Sequence, residues 1–352
     1  MDDNKYYLKI GRATELKDWW ERRLYRFFEI LPGFLSWATI IACFVFSWFA
    51  PVWSAIFIII FDIYWFFKTV YLSFHLRSGY NKMKSNLKIN WIEKLNQEFS
   101  NNLHDWRDIY HLIILPVYKE GVGIVRPTFE GLAQNGYSLD KMIVVLAVEE
   151  KSGEAGKELA RQITDEFGGI FFKFIVTIHP ANIAGEIAGK GSNEAWAAKK
   201  VKEKIIDKLN ISYENIIVSV FDADTVVSFG YFSCLAYHYL AHSNPTRASF
   251  QPIPLFINNV WEAPALARVI SFSSSFWHMM QQERPERQTT FSSHSMSFKA
   301  LNDIGFWQTN VVSEDSRIFW QNYLYYDGNY EVASLHFPVS MDTNVAPTFF
   351  RS

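Results

Sequence analysis

Residues 215–228 read NIIVSVFDADTVVS. The β-branched, apolar run 216–221 predicts a buried central strand, and it ends on two aspartates one residue apart. Side chains alternate between the faces of a strand, so Asp222 and Asp224 point the same way. They fall where the strand leaves the sheet, the edge at which open α/β sheets bind ligands. Carboxylates beside an apolar strand are costly unless a cation shares the site. A hard divalent ion carrying a phosphorylated ligand meets that need. A solvated turn capped by two aspartates is the simpler alternative, because Asp-x-Asp alone is a common string.

Upstream, apolar runs alternate with helical patterns. Strands are expected at 111–117 (HLIILPV), 142–148 (MIVVLAV) and 170–177 (IFFKFIVT). Helices are expected at 124–134, with Pro127 in its first turn, at 157–167 and at 192–209. This order predicts an α/β domain with a mostly parallel sheet, starting near Tyr110 and wound by right-handed crossovers. The first strand then delivers Pro116, Tyr118 and Glu120, and the second Glu149 and Glu150, to the edge that holds the aspartates. Acids and an aromatic there could bond and stack a nucleoside, although either stretch could equally cap a helix. Between them, residues 184–193 (AGEIAGKGSN) depart from the P-loop pattern, since Gly191 follows Lys190 where Ser or Thr belongs. A glycine-rich turn with Lys190 at a helix start still suits a diphosphate.

Downstream, a strand is expected at 247–253 and an aromatic-rich helix near a membrane at 261–280. A short strand at 291–298 would flank the cleft, with His294 as a packing residue rather than a metal ligand. Residues 311–320 (VVSEDSRIFW) put Glu314 and Asp315 at a helix start. Ser313 and one acid serve as an N-cap, and a general base accounts for the pair.

The chain has 352 residues and a formal net charge of -2 without a basic tract, which argues against nucleic acid as main partner. Cys43 and Cys234 lie in apolar contexts and imply no disulfide framework. Residues 1–30 include an amphipathic interfacial stretch, ELKDWWERRLYRFFEI. From 31 to 67 there is no Lys or Arg and the only acid is Asp62, a candidate polar contact inside a membrane that is expected to serve as a packing contact to further helices. Pro51 divides this run into two segments, each near the ~20 residues a spanning helix needs. A transmembrane hairpin is therefore expected over 31–75. Arg22, Arg23 and Arg26 precede it and Lys68, Arg77, Lys82 and Lys84 follow it, so both ends are expected in the cytoplasm. Residues 76–109 are expected to connect it to a catalytic domain at 110–352.

The pieces PVYKE, VEEKS, GKGSN, FDADT and SED, in that order over 112–320, resemble the family 2 glycosyltransferases of the membrane-bound kind that includes cellulose, chitin and hyaluronan synthases. The resemblance implies a GT-A fold, a multi-pass protein of the inner or plasma membrane, and a nucleotide-diphosphate sugar donor. It implies a Mg²⁺ or Mn²⁺ ion at Asp222 and Asp224. Pro116, Tyr118, Glu120 and Glu150 would hold the nucleoside, and Lys190, with Asp222, the phosphates. Asp315, beside Glu314, would deprotonate a glycan or lipid-linked acceptor for inverting attack at the anomeric carbon. Two departures stand out. Glu149 and Glu150 replace a paired aspartate, and the Gln-x-x-Arg-Trp motif of processive members is missing. Residues 342–350 (DTNVAPTFF) resemble the approach to that motif, so an acceptor-gating segment and further helices are expected to be lacking. Two rivals fit less of the chain. One is a non-catalytic sugar-nucleotide-binding membrane subunit. The other is a haloacid-dehalogenase-like phosphatase with Asp222 as nucleophile, although that motif normally opens its domain.

Overall fold

Helix α1 runs unbroken from Trp19 to Phe49 and α2 from Pro51 to Asn86 in the computed structural model, which describes residues 3–100 and 105–345. The Asp18 carboxylate caps α1, accepting the Trp20 and Glu21 N–H groups at 2.7 and 3.2 Å. The expected interfacial stretch and first apolar run are thus one helix. Ala50 alone separates it from α2, where Pro51 at the first helical position forfeits no hydrogen bond. The Ser47 and Ser54 hydroxyls meet across this turn at 3.1 Å. Both helices are long and apolar enough to cross a membrane, and their apolar windows are wholly unburied within the protein. Asp62 is exposed on α2.

The chain forms two compact units, Met1–His75 and Leu76–Ser352. The second begins with the last turns of α2. Lys82 there pairs with Glu283 at 2.8 Å, and the Asn86 amide donates to the Leu335 carbonyl at 3.1 Å. Helix α3 (Trp91–Phe99) then buries Trp91 and Leu95 in the same apolar core as Leu335 and Phe337. The described part of the expected connector is therefore built into the folded domain; residues 101–104 lie outside the described residues.

Eight strands follow: β1 (Tyr110–Val117), β2 (Met142–Glu149), β3 (Lys173–His179), β4 (Ile216–Val220), β5 (Val226–Val227), β6 (Ala248–Phe256), β7 (Ser295–Ser297) and β8 (Glu331–Met341). Their order in the sheet is β3-β2-β1-β4-β7-β6-β8-β5. The pairs β1–β2, β1–β4, β2–β3 and β6–β8 are parallel, and β4–β7, β6–β7 and β5–β8 antiparallel. The expected α/β class with a mostly parallel sheet is what the chain forms. Alternation along β1 explains its two apolar faces. Ile113 and Leu115 face the layer holding α4 (Val122–Ala133), α5 (Gly153–Phe167) and α7 (Tyr231–Ala241). Leu112 and Ile114 face the layer holding α6 (Lys190–Val201), α9 (Phe298–Asp303) and α10 (Glu314–Tyr325). One further helix, α8 (Ala265–Gln281), packs on β6.

Several expectations need correction. The third strand starts at Lys173 rather than at 170, and β7 keeps only three residues of 291–298. Pro127 lies inside α4, which begins earlier, at Val122. The helix expected over 192–209 starts at Lys190 and passes into a wider π-turn at Lys202–Ile206. Strands β5 and β8 were not expected at all. Pro338 argues against a strand, yet β8 accommodates it at a register shift opposite 251–253, where His336 takes a positive φ of 46°.

Candidate active site

The C-terminal ends of β1, β2 and β4 open onto a cavity of about 800 Å³. Pro116, Tyr118 and Glu120 enter it from the first strand, Glu149 and Lys151 from the second, and Asp222 and Asp224 from the fourth. Gly189 and Lys190 enter from the start of α6. The topology alone brings these groups together, because parallel strands release their chains at one edge.

Lys190 is the centre of charge. Its Nζ lies 2.7 Å from Asp222 Oδ1 and 3.0 Å from Asp315 Oδ2, with Glu194 and Glu314 each at 3.7 Å. Burial alone would lower the lysine's pKa, but Glu194, Asp222 and Asp315 outweigh it and hold the ammonium well above its usual range. Burial likewise opposes charge on Asp222, yet Lys190 and the Ser292 hydroxyl, which donates to it, keep its pKa low. Glu194 is fully buried and neither of its oxygens is hydrogen-bonded. Burial raises its pKa well above the carboxylate range despite Lys190, so its neutral form is favoured. Burial and Asp315 also raise Glu314. Ser313 stands at the N-cap of α10 without a side-chain cap bond, contrary to expectation. The Thr290 hydroxyl instead donates to the Asp315 carbonyl. His294, expected as a packing residue, is buried with its Nδ1 3.1 Å from the Phe291 carbonyl and 3.7 Å from Asp315.

Asp224 has a different neighbourhood. One oxygen accepts the Asp342 N–H at 3.1 Å, while the other is buried without a partner. Burial, with Asp222 and Asp342 nearby, raises its pKa to about 6. No group of three or more His, Cys, Asp or Glu able to hold a metal occurs among the described residues. Mg²⁺ commonly binds through one or two carboxylates with phosphate and water completing the shell. The unpartnered Asp224 oxygen beside Asp222 fits that arrangement, and a closed protein cage is not what it requires.

No protein-family model matches this chain, and no curated protein matches it by sequence. Among solved structures it is similar to the mannosyltransferase PcManGT of Pyrobaculum calidifontis, crystallised with GDP-Man and Mn²⁺. That likeness has 14% identity and a TM-score of 0.47, over 80% of this chain and 68% of the other. It is similar to residues 1–349 of S. aureus TarS in complex with UDP-GlcNAc, at 12% identity and a TM-score of 0.43, over 69% and 61%. GalNAc-T7 with UDP, GalNAc and Mn²⁺ follows at 11% and 0.44, over 67% and 44%. The chain thus spans from under half to about two thirds of the length of these proteins. At such scores the likenesses carry nothing about what this chain binds.

At the other end of the cavity, Tyr118 is 43% exposed, with the Lys119 ammonium over its ring at 5.0 Å from the centre. Glu120 turns back to accept the Tyr118 and Lys119 N–H groups at 2.6 and 3.1 Å. Glu150 is not among the cavity-lining residues. Its carboxylate accepts the Ala181 N–H at 2.7 Å, and Glu149 occupies the cavity wall in its place. Glu149 is held by His179 of β3, whose Nδ1 lies 3.1 Å from one carboxylate oxygen and whose Nε2 lies 3.0 Å from Glu186. Asn193 ties α6 to β2 by donating to the Ala147 carbonyl at 2.8 Å. Sequence reading brings Glu149 to this edge but gives its role to Glu150, and it does not single out His179, Asn193 or the wall formed by Asn259, Asp342 and Thr343. Only the last had a signal, the DTN that begins 342–350; residues 346–352 lie outside the described residues.

Proposed function

We propose that this chain is a membrane-anchored, inverting glycosyltransferase of GT-A fold and family 2 type. It moves a hexose from a nucleotide-diphosphate donor to a glycan or lipid-linked hydroxyl. The observation that carries the reading is the Lys190 bridge, in which one ammonium joins Asp222 at the end of β4 to Asp315 at the start of α10. A donor diphosphate seated beside Asp222 would bring its anomeric carbon toward Asp315. The cavity volume of about 800 Å³ suits a ligand of that size.

In this mechanism Tyr118 stacks the base, and Glu149, rather than Glu150, accepts a hydrogen bond from the nucleoside. Glu120 shapes the turn beneath them. Lys190 offsets charge on the departing diphosphate. Asp315 takes the proton of the acceptor hydroxyl as that oxygen bonds to the anomeric carbon. The bond from that carbon to the diphosphate oxygen breaks, its electron pair leaves with the nucleoside diphosphate, and the configuration inverts. A Mg²⁺ or Mn²⁺ ion held by Asp224 and Asp222 would supply further charge neutralisation to the leaving group. Helices α1 and α2 span the bilayer as a hairpin, and the arginines and lysines that flank them in the sequence favour a cytoplasmic catalytic domain.

Thermal stabilisation of the detergent-solubilised protein by a panel of UDP- and GDP-sugars, with and without Mn²⁺, tests this. A ligand at ~100 times its Kd adds roughly 2.7 kcal/mol. One nucleotide sugar should stabilise in a metal-dependent way that Asp224→Ala abolishes. Asp315→Asn should keep that binding while transfer falls by ~10²–10⁴-fold. A folded protein that responds to no nucleotide sugar overturns the reading.

A further inference from the structure

Glu149 and His179 are cross-strand neighbours, set side by side by the register of the parallel pair β2–β3. By alternation they share the sheet face of Ala147 and Ile175, which α6 covers, whereas Phe174 and Val176 of β3 meet α5 on the other face. Beyond β3 the chain turns back through positive φ angles at Asn182 (62°) and Gly185 (85°). One end of this turn is pinned by the Ala181 N–H donating to Glu150 at 2.7 Å, the other by the Ile187 N–H donating to the Thr309 carbonyl at 2.8 Å. The turn returns Glu186 to the imidazole. His179, almost fully buried, therefore stands between two carboxylates, with Nδ1 3.1 Å from Glu149 Oε2 and Nε2 3.0 Å from Glu186 Oε2.

Counting protons decides the state of that ring. A carboxylate only accepts hydrogen bonds, and a neutral imidazole has one N–H and one bare lone pair. A neutral ring would thus set lone pair against lone pair on one side, whereas an imidazolium donates on both, in charge-assisted bonds. The other neighbours leave this role to the ring. Helix α6 presents Trp196 to it, with ring centroids 5.9 Å apart, and the Lys200 ammonium lies 4.9 Å from the centre of the Trp196 ring. Among the described residues neither Glu149 nor Glu186 pairs with a lysine or arginine. We propose that His179 is a positioning residue carried as an imidazolium, and that Glu186 makes its hold on Glu149 depend on that proton. The inference rests on the reading of Glu149 as a nucleoside contact. It gives Glu186, which does not line the cavity, a part in how tightly the nucleoside is held. Loss of the proton as pH rises leaves one N–H shared between two carboxylates, so Glu149 is held only part of the time and nucleotide affinity falls.

Two measurements on the full detergent-solubilised chain test this. With ¹⁵N-labelled histidine, the His179 signals are those that disappear in His179→Gln. At pH ~7.5, where a free imidazole is ~90% neutral, both His179 nitrogens should resonate as protonated. In Glu186→Gln, whose amide can donate to a bare Nε2, one of them should be bare. A bare nitrogen in the unaltered chain overturns the proposal. Calorimetric titration with UDP and with GDP, in the presence of Mn²⁺, then reads the consequence. From pH ~7 to ~9, across which a paired imidazolium gives up its proton, the unaltered chain should lose up to ~10-fold in affinity relative to Glu186→Gln. The ratio of the two chains cancels any titration of the nucleotide itself. Parallel profiles overturn the positioning role. His179→Gln holds Glu149 through an amide that needs no added proton, so it should match the flat profile and serves should Glu186→Gln misfold. Binding of neither nucleotide would sink the glycosyltransferase reading, and the histidine spectra would still decide the imidazolium.

Discussion

Glu149 and Glu150 are adjacent and chemically alike, yet only one reaches the cavity. Glu149 is the last residue of β2 and keeps the alternation of the strand, whereas Glu150 begins a turn and bonds Ala181 outside it. A shift of one residue reverses a strand face, so no reading of the string EEKS could choose between them. His179 makes the choice consequential, because it sits between Glu149 and Glu186 and is almost fully buried. His179→Leu should cost Glu149 its orientation and weaken nucleotide binding by ~10-fold, on the scale of one lost hydrogen bond to a charged group. Calorimetric titration should show this loss for the nucleotide but little change for inorganic diphosphate, which a general loss of structure would not spare. By contrast, the places of Asp222 and Asp224 at a strand end and of Asp315 at a helix start were legible, since each stands at the junction of an apolar element and a polar turn. Their mutual engagement through Lys190 was not, because 125 residues separate Lys190 from Asp315.

Helix α6 and strand β8 bound the site in ways that differ in legibility. The glycine-rich start of α6 announces a close approach, and Gly191 is where it occurs: an added Cβ would lie 2.7 Å from Glu314 Cβ. Gly191→Ala should therefore push α10 away from α6 and cost about 1–3 kcal/mol of stability. The shift should appear in a denaturant midpoint, accompanied by a loss of transfer larger than the loss of fold. Strands β1, β2 and β4 were readable because strands buried on both faces are continuously apolar. The sequence of β8, EVASLHFPVSM, mixes exposed, half-buried and buried positions and contains Pro338. Nothing local marks it as a strand; the pairing with β6 makes it one.

At the scale of the whole chain, the boundary between the two units falls inside α2, at His75. A chain beginning at Leu76 should fold and keep nucleotide-dependent stabilisation. One beginning at Asn101 should lose the cooperative melt, because it discards Trp91 and Leu95 of the core. Acid should also unfold the domain early. Burial lowers His111 to about 3, and burial with neighbouring cations lowers His238 to about 4, against an ordinary value of 6.5. Between those values the unfolded chain takes up protons that the folded one refuses. The stability these histidines contribute is therefore complete above pH ~6.5 and is lost as pH falls toward 4, at up to ~1.4 kcal/mol per pH unit for each. His111→Met should make melts between pH 6.5 and 4.5 less steep in pH, by up to ~1.4 kcal/mol per pH unit. Finally, β5 directly follows the aspartate turn and is paired by β8, while the Asp342 N–H is the donor to Asp224 from 118 residues away. On the ribosome the strands of the parallel half emerge first and can pair, and Lys190 can already meet Asp222, but the Asp224 carboxylate does not meet its Asp342 donor until β8 has been made. Non-local pairing of this kind is slow, so the nascent chain presents an acidic cleft whose far wall arrives last. If the cavity takes the proposed nucleotide sugar, that ligand can stabilise the protein only late in its synthesis, after most of its sheet has already formed.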